Sequence, residues 1–112
     1  MKTKTLLAVA LICLGLTAAA EDRIITLAYE ISLSNFNAPV TANGGVTFKE
    51  CAECEQIRSR VTPNTRYAIN DKTVRLEDFR KAVGQVRNPE EKLVIVMHHL
   101  ESDTIKSLNV SI

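Results

Sequence analysis

The sequence predicts an α+β fold: a single antiparallel β-sheet of about five to six strands with one amphipathic helix packed on one face. Three observations predict it. Several short runs alternate apolar with polar residues, the mark of strands that bury one face. One run, from Leu76, instead repeats its apolar residues at helical spacing. And 112 residues, 46% hydrophobic and 24% charged, suffice for one ordinary domain and are too few for two. With Gly at 4 and Pro at 3 and no repeat period, collagen-like, coiled-coil and low-complexity readings fall.

The N-terminus reads as a segment apart. Lys2 and Lys4 precede an apolar run from Leu6 to Leu16, succeeded by the small residues Thr17, Ala18, Ala19 and Ala20. That is the three-part pattern of a secretory signal peptide, with Ala18 and Ala20 supplying the small-x-small cleavage site. The run is shorter than the ~20 residues a membrane-spanning helix needs. Cys13 comes after the bulky Ile12, which does not suit lipoprotein processing, and is treated as one more apolar residue of the leader. The expected division is therefore residues 1–20 as a cleaved signal and residues 21–112 as a single small α+β domain. The short basic start and Ala-rich end look bacterial, so the expected location is the periplasm or the extracellular space, with no membrane insertion after cleavage.

In the domain itself, Ile25, Leu27, Tyr29, Ile31 and Leu33 alternate with Thr26, Ala28, Glu30 and Ser32 and define the first strand. Residues 34–45 carry Asn35, Asn37, Pro39, Asn43, Gly44 and Gly45 and read as a loop, with Phe36 and Val40 expected to pin it to the core. Val46 and Phe48 open a short strand that runs into Cys51-Ala-Glu-Cys54, and Ile57, Ser59 and Val61 form the strand that leaves it. Pro63 and Asn64 break the chain before a strand over Thr65, Tyr67 and Ile69, and Asn70-Asp71 makes a tight turn because both side chains tolerate left-handed backbone. Leu76, Phe79, Val83 and Val86 predict a helix to about Arg87, ended by Asn88-Pro89, with Gly84 explained by close packing on the sheet. The unbroken run Leu93-Val-Ile-Val-Met97 predicts a central strand covered on both faces, and Leu108, Val110 and Ile112 a final strand after a turn at Ser102-Asp103.

The run from Arg66 to Val83 resembles the strand-turn-helix of the periplasmic domains of the ExbD and TolR energy-transducing proteins. The likeness lies in a turn and then an amphipathic helix, which many folds share, and it implies nothing further about this chain.

Charge excludes one class of partner. Two bases fall in the leader, so residues 21–112 carry one more acid than base, against the strongly basic balance expected of a nucleic-acid binder. Chemistry concentrates at Cys51 and Cys54. In an oxidising compartment the expected state is a disulfide, and the expected role is a local structural staple. A thiol–disulfide redox site is the rival, since this spacing serves disulfides that open and close, but Glu50, Glu53 and Glu55 disfavour a thiolate there and Lys49 is the one close cation. A metal site would add His98 or His99 to the cysteines. Adjacent strand residues point to opposite faces, so only one His would join, and a fourth ligand is then missing. His98 shares a face with Val94 and Val96 and reads as a packing residue; His99 shares one with Ile95 and Met97.

No nucleophile elbow or phosphate loop occurs, and Asn109-Val-Ser111 matches a glycosylation pattern inside an expected strand. The expected function is a non-catalytic binding or assembly domain without a cofactor. Its protein partner would dock along a free sheet edge or over loop 34–45.

Overall fold

The computed structural model describes residues 25–112; the expected leader lies outside the described residues. Eight strands form one sheet: β1 (Thr26–Ser32), β2 (Phe36–Asn37), β3 (Gly45–Phe48), β4 (Ile57–Arg60), β5 (Arg66–Ile69), β6 (Lys72–Val74), β7 (Leu93–His99) and β8 (Thr104–Ser111). One helix, α1 (Leu76–Gly84), lies between β6 and β7. The α+β class and the lone helix agree with the sequence, while the strand count is higher than expected.

Along the sheet the order is β1-β7-β8-β4-β3-β2, with the β5–β6 hairpin attached to β8. The sheet is mixed, which corrects the all-antiparallel expectation. β5 pairs with β8 in parallel from Arg66–Ser107 to Ile69–Val110, and β4 meets β8 in parallel at Arg60–Thr104. The remaining pairings are antiparallel.

The sheet folds over on itself. Tyr29 on β1 and Phe48 on β3, far apart in strand order, bring their rings within 5.1 Å. The inner face so enclosed holds Ile31, Val46, Phe48, Val61, Val94, Val96, Ile105, Leu108 and Val110 at 0–1% exposure. α1 closes one side of this core through Phe79, whose ring lies edge-on to Phe36 at 6.4 Å and 5.5 Å from Tyr67.

Local chemistry explains the connections. Asn70 and Asp71 adopt φ of 50° and 70°, the left-handed pair that a two-residue hairpin between β5 and β6 requires. Asn70 also clasps the C-terminus, accepting from the Ile112 N–H at 2.9 Å and donating to its carbonyl at 3.0 Å. Phe36 and Pro39 anchor the loop after β1, but Val40 is 69% exposed and pins nothing. α1 stops at Gly84, earlier than the pattern predicts, with Glu77 and Asp78 in its first turn and Lys81 in its last, each favourable to the helix dipole. Gly84 is exposed and a Cβ there would meet nothing within 4 Å, so close packing does not account for it.

The largest correction concerns β7. Val94, Val96 and His98 face the core, but Leu93 and Ile95 are 40% and 38% exposed on the opposite side, where no described element covers the sheet. The apolar run is real; its two-sided burial is not, because the chain's only described α-helix packs on the inner face.

Candidate functional site

The cysteine pair closes on itself. Cys51 and Cys54 form a disulfide with Cα atoms 5.0 Å apart, and the Cys54 N–H donates to the Cys51 carbonyl at 3.1 Å. The bond sits in a turn between β3 and β4, with Cys51 and the flanking Glu50, Glu53 and Glu55 exposed. The chain after Cys54 enters strand β4, so the pair lacks the helix N-terminus that commonly stabilises a reactive thiolate.

The two histidines are turn fittings. They leave β7 on opposite faces, as alternation predicts, and each grips the β7–β8 turn from its own side. The His98 Nε2 lies 2.8 Å from Asp103 Oδ1, and His99 Nδ1 lies 2.7 Å from the Ser102 hydroxyl and accepts from the Ser102 N–H at 3.3 Å. A carboxylate only accepts, so Nε2 of His98 carries the hydrogen. Its Nδ1 is then the ring's acceptor when neutral, and it is buried without a hydrogen-bond partner among the described residues. Ser59 completes the cluster, donating to the Asp103 carbonyl at 3.0 Å and to Oδ1 at 3.3 Å.

Serine, histidine and aspartate thus meet, but in an order that does not make a nucleophile. The Ser59 hydroxyl points at the carboxylate rather than at the imidazole that would have to take its proton. The cluster's effect is electrostatic. The hydrogen bond from His98 holds the Asp103 carboxyl below the usual carboxylate range, against a smaller opposing effect of desolvation and with help from Ser59 and Arg60. It also holds Asp103 at φ 52°, which Asp tolerates better than most residues. Among the described residues no three His, Cys, Asp or Glu side chains converge as metal ligands would. Cys51, Cys54 and the histidines are therefore not brought together as one site.

Among the described residues, what the fold leaves uncovered is the outer face and the long edge strand β1. On the outer face Leu93, Ile95 and Met97 form an apolar ridge down β7, flanked by Ser32, Glu30 and Ala28 of β1 on one side and Ser111, Asn109 and Ser107 of β8 on the other. Beyond β8, a shallow cavity of about 600 Å³ continues this face, lined by Met97, Arg66, Lys106, Asp71, Thr73 and Asn109, among others. Asn109 spends its side-chain amide there on Asp71 Oδ1 at 2.7 Å, so the glycosylation-pattern nitrogen is engaged.

No family model, curated protein or solved structure matches this chain. Its function has to be read from its own geometry.

β1 is the edge. Among the described residues its seven residues pair with β7 alone, in an unbroken register from Thr26–His99 to Ser32–Leu93. The Leu100 N–H donates to the Ile25 carbonyl and the Leu33 N–H to the Lys92 carbonyl, both at 2.8 Å. Odd-numbered residues therefore turn their backbone groups toward β7, and Thr26, Ala28, Glu30 and Ser32 turn theirs outward. Strand edges are ordinarily blunted by charged side chains, Pro or a bulge; β1 has no Pro and no bulge, and Glu30 is its one charged residue.

Sequence reasoning found the cysteines, both histidines and the first strand. It missed Asp103 and Ser59. A signal was present, since a histidine at the end of one strand and an aspartate five residues on, across a tight turn, face each other in a hairpin.

Proposed function

We propose that the chain is an exported, non-catalytic binding or assembly module of the periplasm or extracellular space, and that its protein partner docks as an added strand along β1. The observation that supports this reading is the β1 edge: seven regular residues with outward N–H and C=O groups, neither Pro nor bulge and a single charge at Glu30, beside the exposed ridge of Leu93 and Ile95. Main-chain hydrogen bonds supply affinity in such strand addition, and the adjoining apolar ridge supplies contact area. The loop over residues 34–45 is less suited, because Phe36 and Pro39 are buried and its longest continuous exposed stretch is the four-residue tip Val40–Asn43.

The disulfide supports the export reading, because such bonds persist in oxidising compartments. The rival redox function would use the same two sulfurs, and the exposure of Cys51 is what favours it. Against it stand the three neighbouring carboxylates and the strand, in place of a helix, on the C-terminal side of the pair.

Site-specific photo-crosslinking in the native cell tests the docking strand. A photoreactive side chain at Ala28 or Glu30 should yield protein adducts that are absent when it is placed at Glu77 on α1. Adducts arising only from Val40, or equally from every position, would overturn the β1 reading.

A further inference from the structure

We infer that a cleft on the outer face of the sheet binds the phosphate group of a small phosphate monoester, held by Arg60, Lys106 and Arg66. Here β8 exchanges one neighbour for another. β4 meets it at Arg60–Thr104 and β5 takes over at Arg66–Ser107, so the turn from Thr62 to Thr65 lies between the two partners. On β8 the handover coincides with a bulge. Met97 stands opposite Ser107 and His98 opposite Ile105, which leaves Lys106 unmatched and exposed. Bulges of this kind re-aim a side chain, and this one brings an ammonium to the gap that Arg60 and Arg66 flank.

The gap has room for a ligand. A cleft of about 450 Å³ is lined by Arg60, Asn64, His99, Ser102, Thr104 and Lys106, among others, and through Asn64 and Lys106 it adjoins the larger cavity that Arg66 lines. That volume falls in the range of small-molecule sites, roughly 300–1,000 Å³. Among the described residues no carboxylate lines the smaller cleft, and Arg60, Arg66 and Lys106 form no ion pair. Two acids stand near, and both are engaged. Asp103, on the His98 side of the turn, accepts from His98 and Ser59 and feels Arg60 only through its charge, while Asp71 in the larger cavity accepts from Asn109.

Neutral donors complete the set. His99 Nδ1 accepts from the Ser102 N–H, so the ring hydrogen sits on Nε2, which has no partner among the described residues. Asn64 offers a side-chain amide from a turn that is held in place, since Thr65 Oγ1 donates to the Ile105 carbonyl at 2.6 Å and accepts from the Thr62 N–H. Two guanidiniums, an ammonium, an imidazole N–H and an amide call for an anion rich in acceptors. A carboxylate brings two oxygens and one charge, whereas a phosphate monoester brings three terminal oxygens and nearly two charges at neutral pH. Guanidinium forks grip such oxygens in pairs. No residue of the smaller cleft belongs to β1, so the phosphate site and the docking strand stand or fall separately.

Calorimetric titration and amide NMR shifts, at constant ionic strength on the protein as its own cell processes it, provide the test with methyl phosphate as probe. Methyl phosphate should bind saturably and shift the amides of Asn64, Ser102 and Lys106 while leaving those of α1 in place. Arg60→Gln and Lys106→Gln should each weaken it at least tenfold, as expected for the loss of a hydrogen bond to a charged group. Arg80→Gln, which removes an exposed cation from α1, should leave the affinity unchanged. Methyl sulfate has the same shape and a single charge, and should bind at least tenfold more weakly.

The absence of saturable binding, shifts confined to other surfaces, or equal weakening by Arg80→Gln overturns the site. Equal affinity for methyl sulfate overturns the assignment to phosphate. Should a glutamine variant fail to fold, the shift pattern and the two-ligand comparison on the wild type still decide.

Discussion

Replacing Tyr67 with phenylalanine should make the protein more stable. Tyr67 is 7% exposed, its ring packs 5.5 Å from Phe79, and its hydroxyl is buried with no hydrogen-bond partner among the described residues. A hydroxyl left unpaired in a protein interior costs about 1–3 kcal/mol. Tyr67→Phe removes that penalty and keeps the ring, at the expense of a few dispersion contacts to one oxygen, so a net gain of about 1 kcal/mol is expected. For a domain of this size that raises Tm by roughly 4–8 °C. Urea unfolding monitored by circular dichroism, with an unchanged slope, reads it directly. Alkali gives a second readout. Burial pushes the Tyr67 phenol up, so the unfolded chain ionises it first, and the native state loses stability as pH rises past the ordinary tyrosine range. The phenylalanine variant should lose that part of the alkaline slope. A variant destabilised by about 1 kcal/mol or more would mean that the hydroxyl has a partner, and the reasoning would fail. Thr65→Val is the matched contrast, because Thr65 Oγ1 donates to the Ile105 carbonyl at 2.6 Å and accepts from the Thr62 N–H at 3.0 Å, so its loss should cost about 1–3 kcal/mol.

Gly84→Ala should stabilise by about 0.5–1 kcal/mol in the same assay, since the new methyl meets open space on a helix without a positive-φ glycine, and a loss would restore a packing role to Gly84. Asp103 has a lowered folded pKa, so its contribution is present above the ordinary carboxylate pKa and fades as pH falls through the folded value. Asp103→Asn should therefore flatten the acid limb of Tm against pH, and an unaltered acid limb would remove His98 as the cause. Cys51→Ser with Cys54→Ser should leave a folded chain about 2 kcal/mol less stable, given the few residues the bond encloses, and failure to fold would contradict so local a staple. The same bond should have a reduction potential below about −300 mV, whereas a value between about −120 and −270 mV would favour the redox reading.

Period-two alternation located β1 and β4, whose more buried residues share one face, and the Thr65, Tyr67, Ile69 pattern located β5, although Ala68 on its other face is buried as well. β2 and β6, with two and three residues, are too short to display any period, and they account for the extra strands. The parallel pairing of β5 with β8 joins residues about forty apart through an intervening helix and strand, and nothing local in either strand announces it. β7 misled for a different reason. An apolar run reports the character of the side chains, not what covers them, and here the odd-numbered side chains face outward. For the candidate site, the cysteines and histidines were visible as residue types. The orientation that makes the histidines grips for a turn depends on where Asp103 and Ser102 fall in that turn.

A nine-residue helix cannot cover an eight-strand sheet. This chain buries one face by folding the sheet over, which brings Tyr29 to Phe48 and places the core on the inside of the curl. The consequence is geometric: whatever the inner face gains in enclosure, the outer face and the β1 edge do without. The apolar residues on that outer face are not scattered, since Leu93, Ile95 and Met97 share one strand immediately beside the edge. An edge guarded by one carboxylate, Glu30, next to an apolar ridge is a hazard for an isolated monomer, as it offers a template to any extended chain. A chain that uses this edge should therefore tolerate proline or a second carboxylate there only at the expense of assembly. One that does not use it should become more soluble with the same substitutions and lose nothing else. Comparing assembly and solubility across Ala28→Pro and Ala28→Glu separates a functional edge from a merely exposed one.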